Sequence, residues 1–443
     1  MTSKLKIEYR EIAKLRPYVN NARTHSKKQI CQIAESIKKF GFTNPVLITR
    51  DLQIVGGHGR VLAASLAGMT KVPTIILDDL SDADRRAYIL ADNKLALNAG
   101  WDSEILAIEL QGLAELGFDL ELTAFSIAEI DLSLDGARSA DSQREEPLPE
   151  DEQVPLPGQP VTKRGDLWQL GRHVLLCGDA REPADYSAVT FLEPIDLIFT
   201  DPPYNCKISG HVCGLGKVKH REFAMASGEM SREEFTNFLS GTLSPAASVC
   251  KDGAIAFVCM DWRGMESLLT AGREAFSELK QLCVWNKTNG GMGTFYRSKH
   301  ELIFAYKVGT APHTNSFGLG DTGRYRTNVW DYAGISSSSS SRSEDHERHP
   351  TPKPVAMVAD AIRDCTRRGE LVLDPFAGSG TTLIAAEICG RSARLIEFDP
   401  LYCDTIIQRF EQFTGQKGVL MQSDRTFEEV SEVRLEELGR KPQ

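Results

Sequence analysis

Two consecutive prolines, Pro202 and Pro203, restrict the backbone in the middle of this chain. They follow, after one residue, the apolar run Ile-Asp-Leu-Ile-Phe-Thr at 195–200, which predicts a buried β-strand. Neither proline can continue a helix or donate to a strand ladder, so the strand must end there and lead into a stiff loop. The neighbouring Asp201 and Tyr204 are therefore presented at a strand end, the usual position of a functional site in an open α/β sheet.

This arrangement suits one kind of chemistry, the methylation of an exocyclic amine on a nucleobase. Such an amine is a poor nucleophile because its lone pair is delocalised into the heterocycle. The Asp201 carboxylate and the Pro202 carbonyl are placed to accept its two N–H protons, and Tyr204 is placed to stack on a base drawn out of its helix. A plain Pro-Pro turn without chemistry is the alternative.

A second motif, nearer the C-terminal end, joins a strand, a glycine-rich turn and a helix. The strand at 370–374 ends in Asp374, the turn contains Gly378 and Gly380, and a helical pattern follows. Glycines let the backbone approach an adenosyl ligand closely, and the acid that ends the next strand, Glu397, is placed to accept ribose hydroxyls. An NAD-dependent dehydrogenase shares this logic, but the turn lacks the third glycine of the dinucleotide spacing.

The distribution of residue types divides the 443 residues into four segments. Residues 1–135 combine short strands and amphipathic helices, which predicts a small α+β domain whose helical residues 101–135 serve for packing. Residues 136–162 are rich in acids and prolines, which predicts an extended linker. Residues 163–425 alternate strands and helices, which predicts a doubly wound α/β domain, and residues 426–443 are interpreted as a charged C-terminal tail.

The net charge of −10 does not by itself indicate a nucleic-acid-binding protein. Two local stretches are nevertheless basic, because residues 206–221 contain no acid and residues 286–330 carry more basic than acidic residues. Phosphates are predicted to bind there, and a solvated glycine-rich loop is the alternative for the first stretch. The predicted DNA-binding residues are Lys207, Lys217, Lys219, Arg221, Lys287, Arg297, Arg324 and Arg326.

In the first domain, a glycine-rich turn opens a helix. Free backbone N–H groups at such a helix start favour a phosphate, and the Arg60 guanidinium adds a fixed positive charge. Residues 5–100 are similar to ParB N-terminal domains of the ParB/sulfiredoxin superfamily, through Asn20-Asn21-Ala22-Arg23, this turn and Ala91-Asp92-Asn93-Lys94. That family has a glycine-glutamate-arginine-arginine box here, from which this chain departs, so a docking or DNA-positioning role is the alternative. The resemblance implies a nucleotide or phosphate site at Gly57, His58, Gly59 and Arg60.

Composition also disfavours several classes of protein. The N-terminal residues contain no apolar signal region, and no apolar run approaches the ~20 residues of a membrane span, so we expect a cytoplasmic protein without a membrane contact. The ten cysteines contain no Cys-x-x-Cys motif, which favours reduced thiols. No metal is expected, because a standard zinc spacing is not matched by the group Cys206, His211, Cys213 and His220.

The second domain resembles a known family over residues 161–415. It is similar to DNA amino-methyltransferases in which the Asp-Pro-Pro-Tyr motif precedes the cofactor glycine motif. The resemblance implies a Rossmann-like α/β sheet with helices on both faces and S-adenosylmethionine as the methyl donor. The motifs that carry it are, in chain order, Gly178-Asp179, Asp201 to Tyr204, Trp285-Asn286-Lys287, His300-Glu301, Lys353-Pro354, Asp374 to Thr382 and Glu397.

The same resemblance implies a role for several of the matching residues. Asp179 would meet the adenine of the cofactor, and Lys353 would line the neighbouring pocket. The implied catalytic residues are Asp201, Pro202, Pro203 and Tyr204. The implied cofactor-binding residues are Asp179, Ala180, Lys353, Asp374, Phe376, Gly378, Ser379, Gly380, Thr381, Thr382 and Glu397.

The predicted function is the site-specific transfer of a methyl group to N6 of a flipped adenine in DNA, as in restriction-modification systems. Family members that methylate adenine usually carry Asp at the position of Asp201, and cytosine-N4 methylation is the alternative within the family. Outside it, the alternatives are a DNA-binding or partition-type protein with a non-catalytic methyltransferase half, and methylation of RNA or of a protein glutamine. The predicted partners are DNA, a nucleotide or phosphate, and a second copy of the chain.

Overall fold

The computed structural model describes residues 5–77, 80–139, 154, 156–206, 226, 228–287, 296–317, 326–333 and 353–439. The chain divides into two compact units, Met1–Gln143 and Arg144–Gln443. Among the described residues, none of the helices is both long and apolar enough to cross a membrane.

The first unit contains a small mixed sheet and several helices. In chain order its described elements are β1 (Ile7–Glu11), α1 (Lys27–Phe40), β2 (Val46–Ile48), β3 (Ile54–Gly56), α2 (His58–Leu66), β4 (Lys71–Ile76), α3 (Asp82–Asn98), α4 (Ser103–Glu115) and α5 (Ile127–Ser139). The strand order is β1-β4-β2-β3, and β2 and β4 run parallel. Helix α1 ends at Phe40 and is followed by Gly41, whose positive φ of 81° suits a glycine at a helix end.

A second, helical core lies in the same unit, between α4 and α5. It is formed by Leu110 and Leu120 with residues of α5. The predicted packing face of α4 is only partly buried, because Ile105 and Ile108 are 60% and 69% exposed. At 3.6 residues per turn these two side chains lie on the opposite face from Leu110, so the apolar pattern of α4 covers more of the helix than its packing uses.

The second unit alternates strands and helices over most of its length. In chain order its described elements are β5 (Leu167–Leu170), β6 (His173–Cys177), α6 (Pro183–Thr190), β7 (Ile195–Thr200), α7 (Arg232–Ser248), β8 (Cys250–Met260), α8 (Met265–Ala275), β9 (Glu278–Asn286), β10 (His300–Lys307), β11 (Val329–Asp331), α9 (Val355–Cys365), β12 (Leu371–Asp374), α10 (Thr381–Cys389), β13 (Ser392–Glu397), α11 (Pro400–Thr414), β14 (Gly418–Leu420), β15 (Arg425–Thr426) and α12 (Phe427–Gly439).

In the described residues these strands form one eleven-stranded sheet, in the order β11-β9-β10-β8-β7-β12-β13-β6-β5-β14-β15. The central strands β8, β7, β12, β13 and β6 are parallel neighbours. On both sides of them the sheet continues through antiparallel pairs, β8 with β10 and β6 with β5. The carboxyl ends of the central strands therefore meet at one edge.

The side chains of the central strands alternate between two cores. Leu197 and Phe199 of β7 pack into one core with α9, α10, α11 and α12. Ile195 and Ile198 pack into the other core with α6, α7 and α8. Because side chains of a strand point to both sides of the sheet, helices cover both of its faces. The predicted fold class, an α/β sheet with helices on both faces after a small α+β domain, is confirmed.

The ends of the second unit differ from the segment limits predicted from the sequence. Val161 and Thr162 were placed in the linker, but they are buried, and their backbone N–H groups donate to Asp404 at 2.6 and 2.9 Å. The segment interpreted as a tail contains α12, whose Phe427 and Val430 belong to the core. Charged residues dominate the composition of this segment, which is why it was interpreted as a tail, whereas a few apolar residues at helical spacing form the buried face of α12.

Candidate active site

The carboxyl ends of the parallel strands bring acidic side chains to one edge of the sheet. Asp201 follows β7, Asp374 ends β12 and Glu397 ends β13. Asp179 and Asp261 follow β6 and β8 in the same way. Open α/β sheets bind their ligands at this edge, so the structure brings the two sequence motifs together at one place.

Asp201 and Tyr204 form a hydrogen-bonded pair at the end of β7. The Tyr204 hydroxyl donates to Asp201 Oδ1 at 2.6 Å. Lys353 extends its ammonium group to Asp201 Oδ2 and lies 3.3 Å from the Tyr204 hydroxyl. The Lys353 side chain is 5% exposed and the Asp201 side chain is 25% exposed, so the ammonium group is buried and the carboxylate is partly open to solvent. The sequence placed Lys353 in the cofactor pocket, whereas the structure places its ammonium group on the Asp-Pro-Pro-Tyr motif.

Glu301, near the start of β10, adds a second carboxylate to this pair. It lies 3.1 Å from Lys353 Nζ and 3.3 Å from the Tyr204 hydroxyl, and it forms an ion pair with Lys287. Burial alone would raise the pKa of Glu301, but the two lysines outweigh it and lower this pKa to about 2. Burial would lower the pKa of Lys353, but Asp201 and Glu301 outweigh it, so this pKa is raised. Two ammonium groups therefore balance two carboxylates.

Asp374 holds the glycine-rich turn in place. Its Oδ1 accepts hydrogen bonds from the Thr200 hydroxyl at 3.0 Å and the Phe376 N–H at 3.1 Å. Its Oδ2 accepts from the Thr382 hydroxyl at 2.6 Å. Burial raises the pKa of Asp374 to about 6, although these hydrogen bonds lower it. The turn is thus tied to the last residue of β7, directly before Asp201.

The backbone of the turn approaches its surroundings closely. Gly378 and Gly380 have φ values of 54° and 81°, in the left-handed region that glycine adopts without strain. A Cβ on Gly380 would lie 3.2 Å from the Ile406 side chain. Helix α10 begins directly after Gly380, so its first N–H groups face the turn. Ser379 and Thr381 are buried beside them.

Glu397 links the end of β13 to the same turn. Its Oε2 accepts from the Gly378 N–H at 2.8 Å, and its Oε1 accepts from the Asp399 N–H at 2.9 Å. Burial raises the pKa of Glu397 to about 7, although these two N–H groups lower it. Because a carboxylate oxygen can accept more than one hydrogen bond, Glu397 keeps the capacity to accept ribose hydroxyls.

Asp179 lies at the same edge, at the end of β6. The Gly178 N–H donates to the Glu397 carbonyl at 2.9 Å, which joins the two strand ends. Asp179 forms an ion pair with Arg181 at 2.7 Å. Burial alone would raise the pKa of Asp179, but the hydrogen bonds and charge of Arg181 lower it. Ala180 is buried next to Asp179.

Sequence reasoning assigned no role to Asn205, Asp261 or Glu301. Asn205 Oδ1 accepts from the Met230 N–H at 3.2 Å, which anchors the approach to α7. Asp261 Oδ1 accepts from the Gly264 N–H at 2.9 Å and so fixes the start of α8. The signal available for Asp261 was a single acidic side chain after an apolar strand, whereas Glu301 belongs to the His300-Glu301 motif of the resemblance, to which no role was attached.

The predicted DNA-binding residues have different surroundings. Arg297 is exposed just before β10, and Lys287 pairs with Glu301. The Arg326 side chain is 17% exposed, and its Nε donates to Asp364 at 2.8 Å. Because a buried carboxylate neutralises this guanidinium, Arg326 is a structural ion-pair residue here, which differs from the predicted phosphate contact. The predictions that fall outside the described residues are Lys207, Lys217, Lys219, Arg221 and Arg324.

The cysteine and histidine residues considered for zinc are only partly described. Cys206 Sγ lies 3.9 Å from Asp261 Oδ2. His211, Cys213 and His220 lie outside the described residues. Within the ranges that the structure describes, no group of three or more His, Cys, Asp or Glu side chains is suited to hold a metal ion.

In the first unit, the predicted phosphate-binding turn at 57–60 lies where β3 leads into α2. His58 Nε2 accepts from the Tyr18 N–H at 3.2 Å, and Arg60 donates to the Asn44 carbonyl at 2.7 Å. Burial lowers the pKa of His58. These contacts fix the start of α2, and a nucleotide or phosphate ligand at this turn stays a prediction.

Three family models match the chain. The DNA methylase model, of the N6/N4 type, matches residues 195–409. The ParB N-terminal domain matches residues 2–94. The ParB-methyltransferase HTH domain matches residues 104–164, which include α4 and α5. Sequence reasoning interpreted these helices as packing elements and did not find the helix-turn-helix domain.

Individual proteins are similar to separate parts of the chain. The ParB-like nuclease domain-containing protein YnaK of Escherichia coli (strain K12) is 52% identical over 86 residues, which are 19% of this chain and 99% of YnaK. Type II methyltransferase M2.MboI of Moraxella bovis is 25% identical over 232 residues, which are 50% of this chain and 82% of M2.MboI. The crystal structure of the M1.HpyAVI–SAM complex is 19% identical, with a TM-score of 0.37, and the match covers 51% of this chain and 95% of that chain.

The family matches agree with the order of the motifs and with the sheet edge at which they meet. The DNA methylase match includes the Asp-Pro-Pro-Tyr motif, the glycine-rich turn and Glu397. Residues 195–409 form a DNA methylase domain of the N6/N4 type, which is joined here to a ParB N-terminal domain at residues 2–94 and a ParB-methyltransferase helix-turn-helix domain at residues 104–164.

Proposed function

We propose that this protein transfers a methyl group from S-adenosylmethionine to the exocyclic N6 amine of an adenine drawn out of DNA. The observation that carries the proposal is the adjacency of β7 and β12. These strands pair in parallel, with Leu373 opposite Ile198. Their carboxyl ends therefore present Asp201 and Tyr204 beside the glycine-rich turn, so a methyl donor and an amine acceptor can occupy neighbouring positions.

The glycine-rich turn and Glu397 would hold the cofactor. S-adenosylmethionine supplies an electrophilic methyl group bound to sulfur. The residues present fit such a ligand, because Gly378 and Gly380 let the backbone come close and Glu397 offers acceptors to ribose hydroxyls. The resemblance extends this pocket to Asp179 and Ala180 at the end of β6.

The Asp201 side of the site would prepare the amine. The Asp201 carboxylate and the Pro202 carbonyl accept the two N–H groups and localise the nitrogen lone pair. Tyr204 presents a ring on which the base is held, and its hydroxyl is fixed by Asp201 at 2.6 Å. As the new N–C bond forms, the bond between the methyl group and sulfur would break and leave its electron pair on the sulfur, so that a neutral thioether departs. The nitrogen would give up one proton, which Asp201 would accept and pass to water. Catalysis on this side comes from positioning and directed hydrogen bonds.

Adenine is proposed as the target because the motif begins with Asp201, the form that adenine-methylating relatives usually carry. The matched family includes both N6 and N4 methylases. N4-methylcytosine is therefore the second candidate product, and it differs from the first only in the base that enters the pocket.

The test is direct. The full chain is incubated with S-adenosylmethionine carrying a labelled methyl group and with mixed-sequence double-stranded DNA, and the DNA is then digested to nucleosides. We expect the label in N6-methyl-2′-deoxyadenosine. Label in N4-methyl-2′-deoxycytidine would overturn the base assignment. Unlabelled DNA, together with label transferred in parallel incubations with RNA or with protein, would overturn the substrate class. The Asp201→Ala variant serves as the background control.

Exposed Arg297 is proposed to contact DNA phosphate near this edge. Strand β10 is antiparallel to β8, with Leu302 opposite Met260, so Arg297 lies at the edge that carries the site. We expect Arg297→Ala to lower the slope of log binding constant against log salt by about 1. The matched control is Arg273→Ala, because Arg273 is exposed in the last turn of α8, away from the carboxyl ends of the strands. Equal salt slopes for the two variants would contradict the assignment.

A further inference from the structure

The buried charges behind Asp201 exceed what a simple hydrogen-bond acceptor needs. Lys353, Glu301 and Lys287 join Asp201 and Tyr204 in one connected group. Side chains of this kind are expensive to bury unless each is matched by a partner. A function that depends on their arrangement accounts for their presence at this point of the sheet.

We propose that Lys353 is a positioning residue for Asp201 and Tyr204, and that Glu301 and Lys287 hold Lys353 in place. The proposal rests on the proposed function of the site, and it replaces the cofactor-pocket role that the sequence implied for Lys353.

The donors of Lys353 are matched one by one. An ammonium group has three N–H donors. The Lys353 ammonium contacts Asp201 Oδ2, lies 3.1 Å from Glu301 Oε2 and lies 3.3 Å from the Tyr204 hydroxyl. Its Nζ is also 5.5 Å from the centre of the Tyr204 ring and 5.9 Å from the centre of the Trp285 ring. Because three acceptors surround its three donors, the Lys353 ammonium group is oriented toward Asp201 and Tyr204, where the base is proposed to bind.

These contacts fix the plane of the Asp201 carboxylate. Lys353 binds Oδ2, and the Tyr204 hydroxyl donates to Oδ1 at 2.6 Å. The single hydroxyl proton of Tyr204 is directed to Asp201, because Glu301 Oε2 lies farther away at 3.3 Å. The remaining lone pairs of the two Asp201 oxygens therefore have a fixed orientation, which a directed hydrogen bond to an incoming amine requires.

The positions of Glu301 and Lys287 are fixed by the paired strands β10 and β9. Glu301 lies in β10 opposite Trp285 of β9, and His300 lies opposite Asn286, so Lys287 leaves the sheet beside Glu301. The Lys287 N–H donates to the Lys299 carbonyl at 2.9 Å. The position of Lys353, which precedes α9, is thus set by two strands on the far side of β8.

The test compares four variants of the full chain: the single variants Lys353→Met, Lys353→Arg and Glu301→Gln, and the double variant Lys353→Met with Glu301→Gln. We expect Lys353→Met to lower kcat, at saturating cofactor and DNA, by about 30-fold or more, and Lys353→Arg to recover part of the loss. We expect Glu301→Gln to lower kcat by about 10-fold, and the double variant to be no worse than Lys353→Met alone, because the two residues act in one chain. The Kd for S-adenosylmethionine, measured by calorimetry without DNA, should stay within about 3-fold of wild type.

A second readout does not depend on catalysis. Acylation of Lys353 by an amine-reactive reagent is followed by peptide mass spectrometry. We expect slow labelling in wild type and faster labelling in Glu301→Gln, because the ammonium group loses a partner carboxylate. The matched control is Lys251→Met, which removes the partner of Asp196 outside the site and should leave kcat and Lys353 labelling unchanged.

Two results would overturn the proposal. One is a Kd for S-adenosylmethionine weakened more than about 10-fold in Lys353→Met with kcat retained at saturation, since that would return Lys353 to the cofactor pocket. The other is a folded Glu301→Gln variant with wild-type kcat and wild-type Lys353 labelling, which also decides the matter if Lys353→Met fails to fold. A wild-type protein that methylates no DNA would refute the proposed function, whereas the labelling and calorimetry would still report on Lys353.

Discussion

Two pairs of carboxylates lie at the same edge of the sheet, and they are held in opposite ways. Asp374 and Glu397 accept hydrogen bonds from hydroxyl and backbone N–H groups. Asp201 and Glu301 are paired with lysine ammonium groups. Burial raises the pKa of Asp374 to about 6 and that of Glu397 to about 7, whereas the lysines lower the pKa of Glu301 to about 2.

The difference corresponds to the two halves of the proposed reaction. Ribose hydroxyls are neutral, and a carboxylate that is held by neutral donors can share its acceptor sites with them. An exocyclic amine whose lone pair must be localised on nitrogen needs an ionised carboxylate that is held in one orientation. The lysine ammonium groups balance the charge of that carboxylate and orient it. Changes on the first side should therefore appear in cofactor affinity, and changes on the second side in turnover.

The largest effect is expected on the lysine-held side. Asp201→Asn keeps the shape of the side chain but removes the charge and one acceptor, so we expect kcat to fall by about 10²–10³-fold, the usual effect of removing one directed transition-state hydrogen bond. The Kd for S-adenosylmethionine should change by less than about 3-fold. Single-turnover methylation and calorimetry measure the two quantities. A large loss of cofactor affinity with normal turnover would instead make Asp201 a cofactor-binding residue.

The converse change is Glu397→Gln, on the neutrally held side. It replaces a charged acceptor of ribose hydroxyls by an amide, which should weaken S-adenosylmethionine binding by about 10-fold, or about 1.4 kcal/mol. Calorimetry at a pH above 7, where Glu397 is ionised, gives the Kd. Turnover at saturating cofactor should stay near that of wild type. Reduced turnover with an unchanged Kd would instead make Glu397 part of the amine side.

The raised pKa of Glu397 also predicts how stability depends on pH. Its value of about 7, against an ordinary 4.5, means that the folded chain binds a proton that the unfolded chain lacks between these two values. This contribution therefore stabilises the fold as the pH falls through 7 and is lost as the pH rises above it. Relative to Glu397→Gln, wild type should gain on the order of 3 kcal/mol of unfolding free energy between about pH 8 and about pH 5.

Denaturant unfolding of both proteins without cofactor, at several pH values, measures this difference. The comparison with the variant is needed because other carboxylates titrate in the opposite direction, and Glu301 loses its stabilising charge only as the pH falls through 4.5 toward 2. A constant difference between wild type and Glu397→Gln across this range would contradict the raised pKa.

The two sides of the site were not equally predictable from the sequence. The glycine-rich turn and Glu397 are local signals, since a strand end, two glycines and the next strand end stand close together in the chain. The ion pair between Lys353 and Asp201 joins residues 152 positions apart, and only the packing of α9 against the sheet brings them together. The sequence therefore identified Lys353 as a site residue but could not predict that its ammonium group contacts Asp201.

The same distinction between local and long-range information applies outside the site. Arg326 counted as a free positive charge, because Asp364, which neutralises it, lies 38 positions away on α9. Val161 and Phe427 were assigned to polar segments by local composition, and their burial depends on α11 and the core of the second unit. Charge and hydropathy patterns report what a segment contains, whereas ion pairing and burial are decided by the segments that meet it.

The smallest effect is expected from Thr382→Val, which tests the neutral donors themselves. Thr382 is 2% exposed, and its hydroxyl donates to Asp374 Oδ2 at 2.6 Å. Removing the hydroxyl leaves Asp374 Oδ2 without this donor, which should cost about 1–2 kcal/mol in unfolding free energy. Because this hydrogen bond also lowers the pKa of Asp374, the loss should grow as the pH rises above 6. The matched control is Thr405→Val, since Thr405 is equally buried but donates to the Leu401 carbonyl at 3.0 Å, a neutral acceptor within α11. We expect the loss in unfolding free energy to depend on pH in Thr382→Val and to be independent of pH in Thr405→Val, which would show that neutral hydrogen-bond donors stabilise the ionised form of Asp374. Equal pH profiles for the two variants would show that they do not.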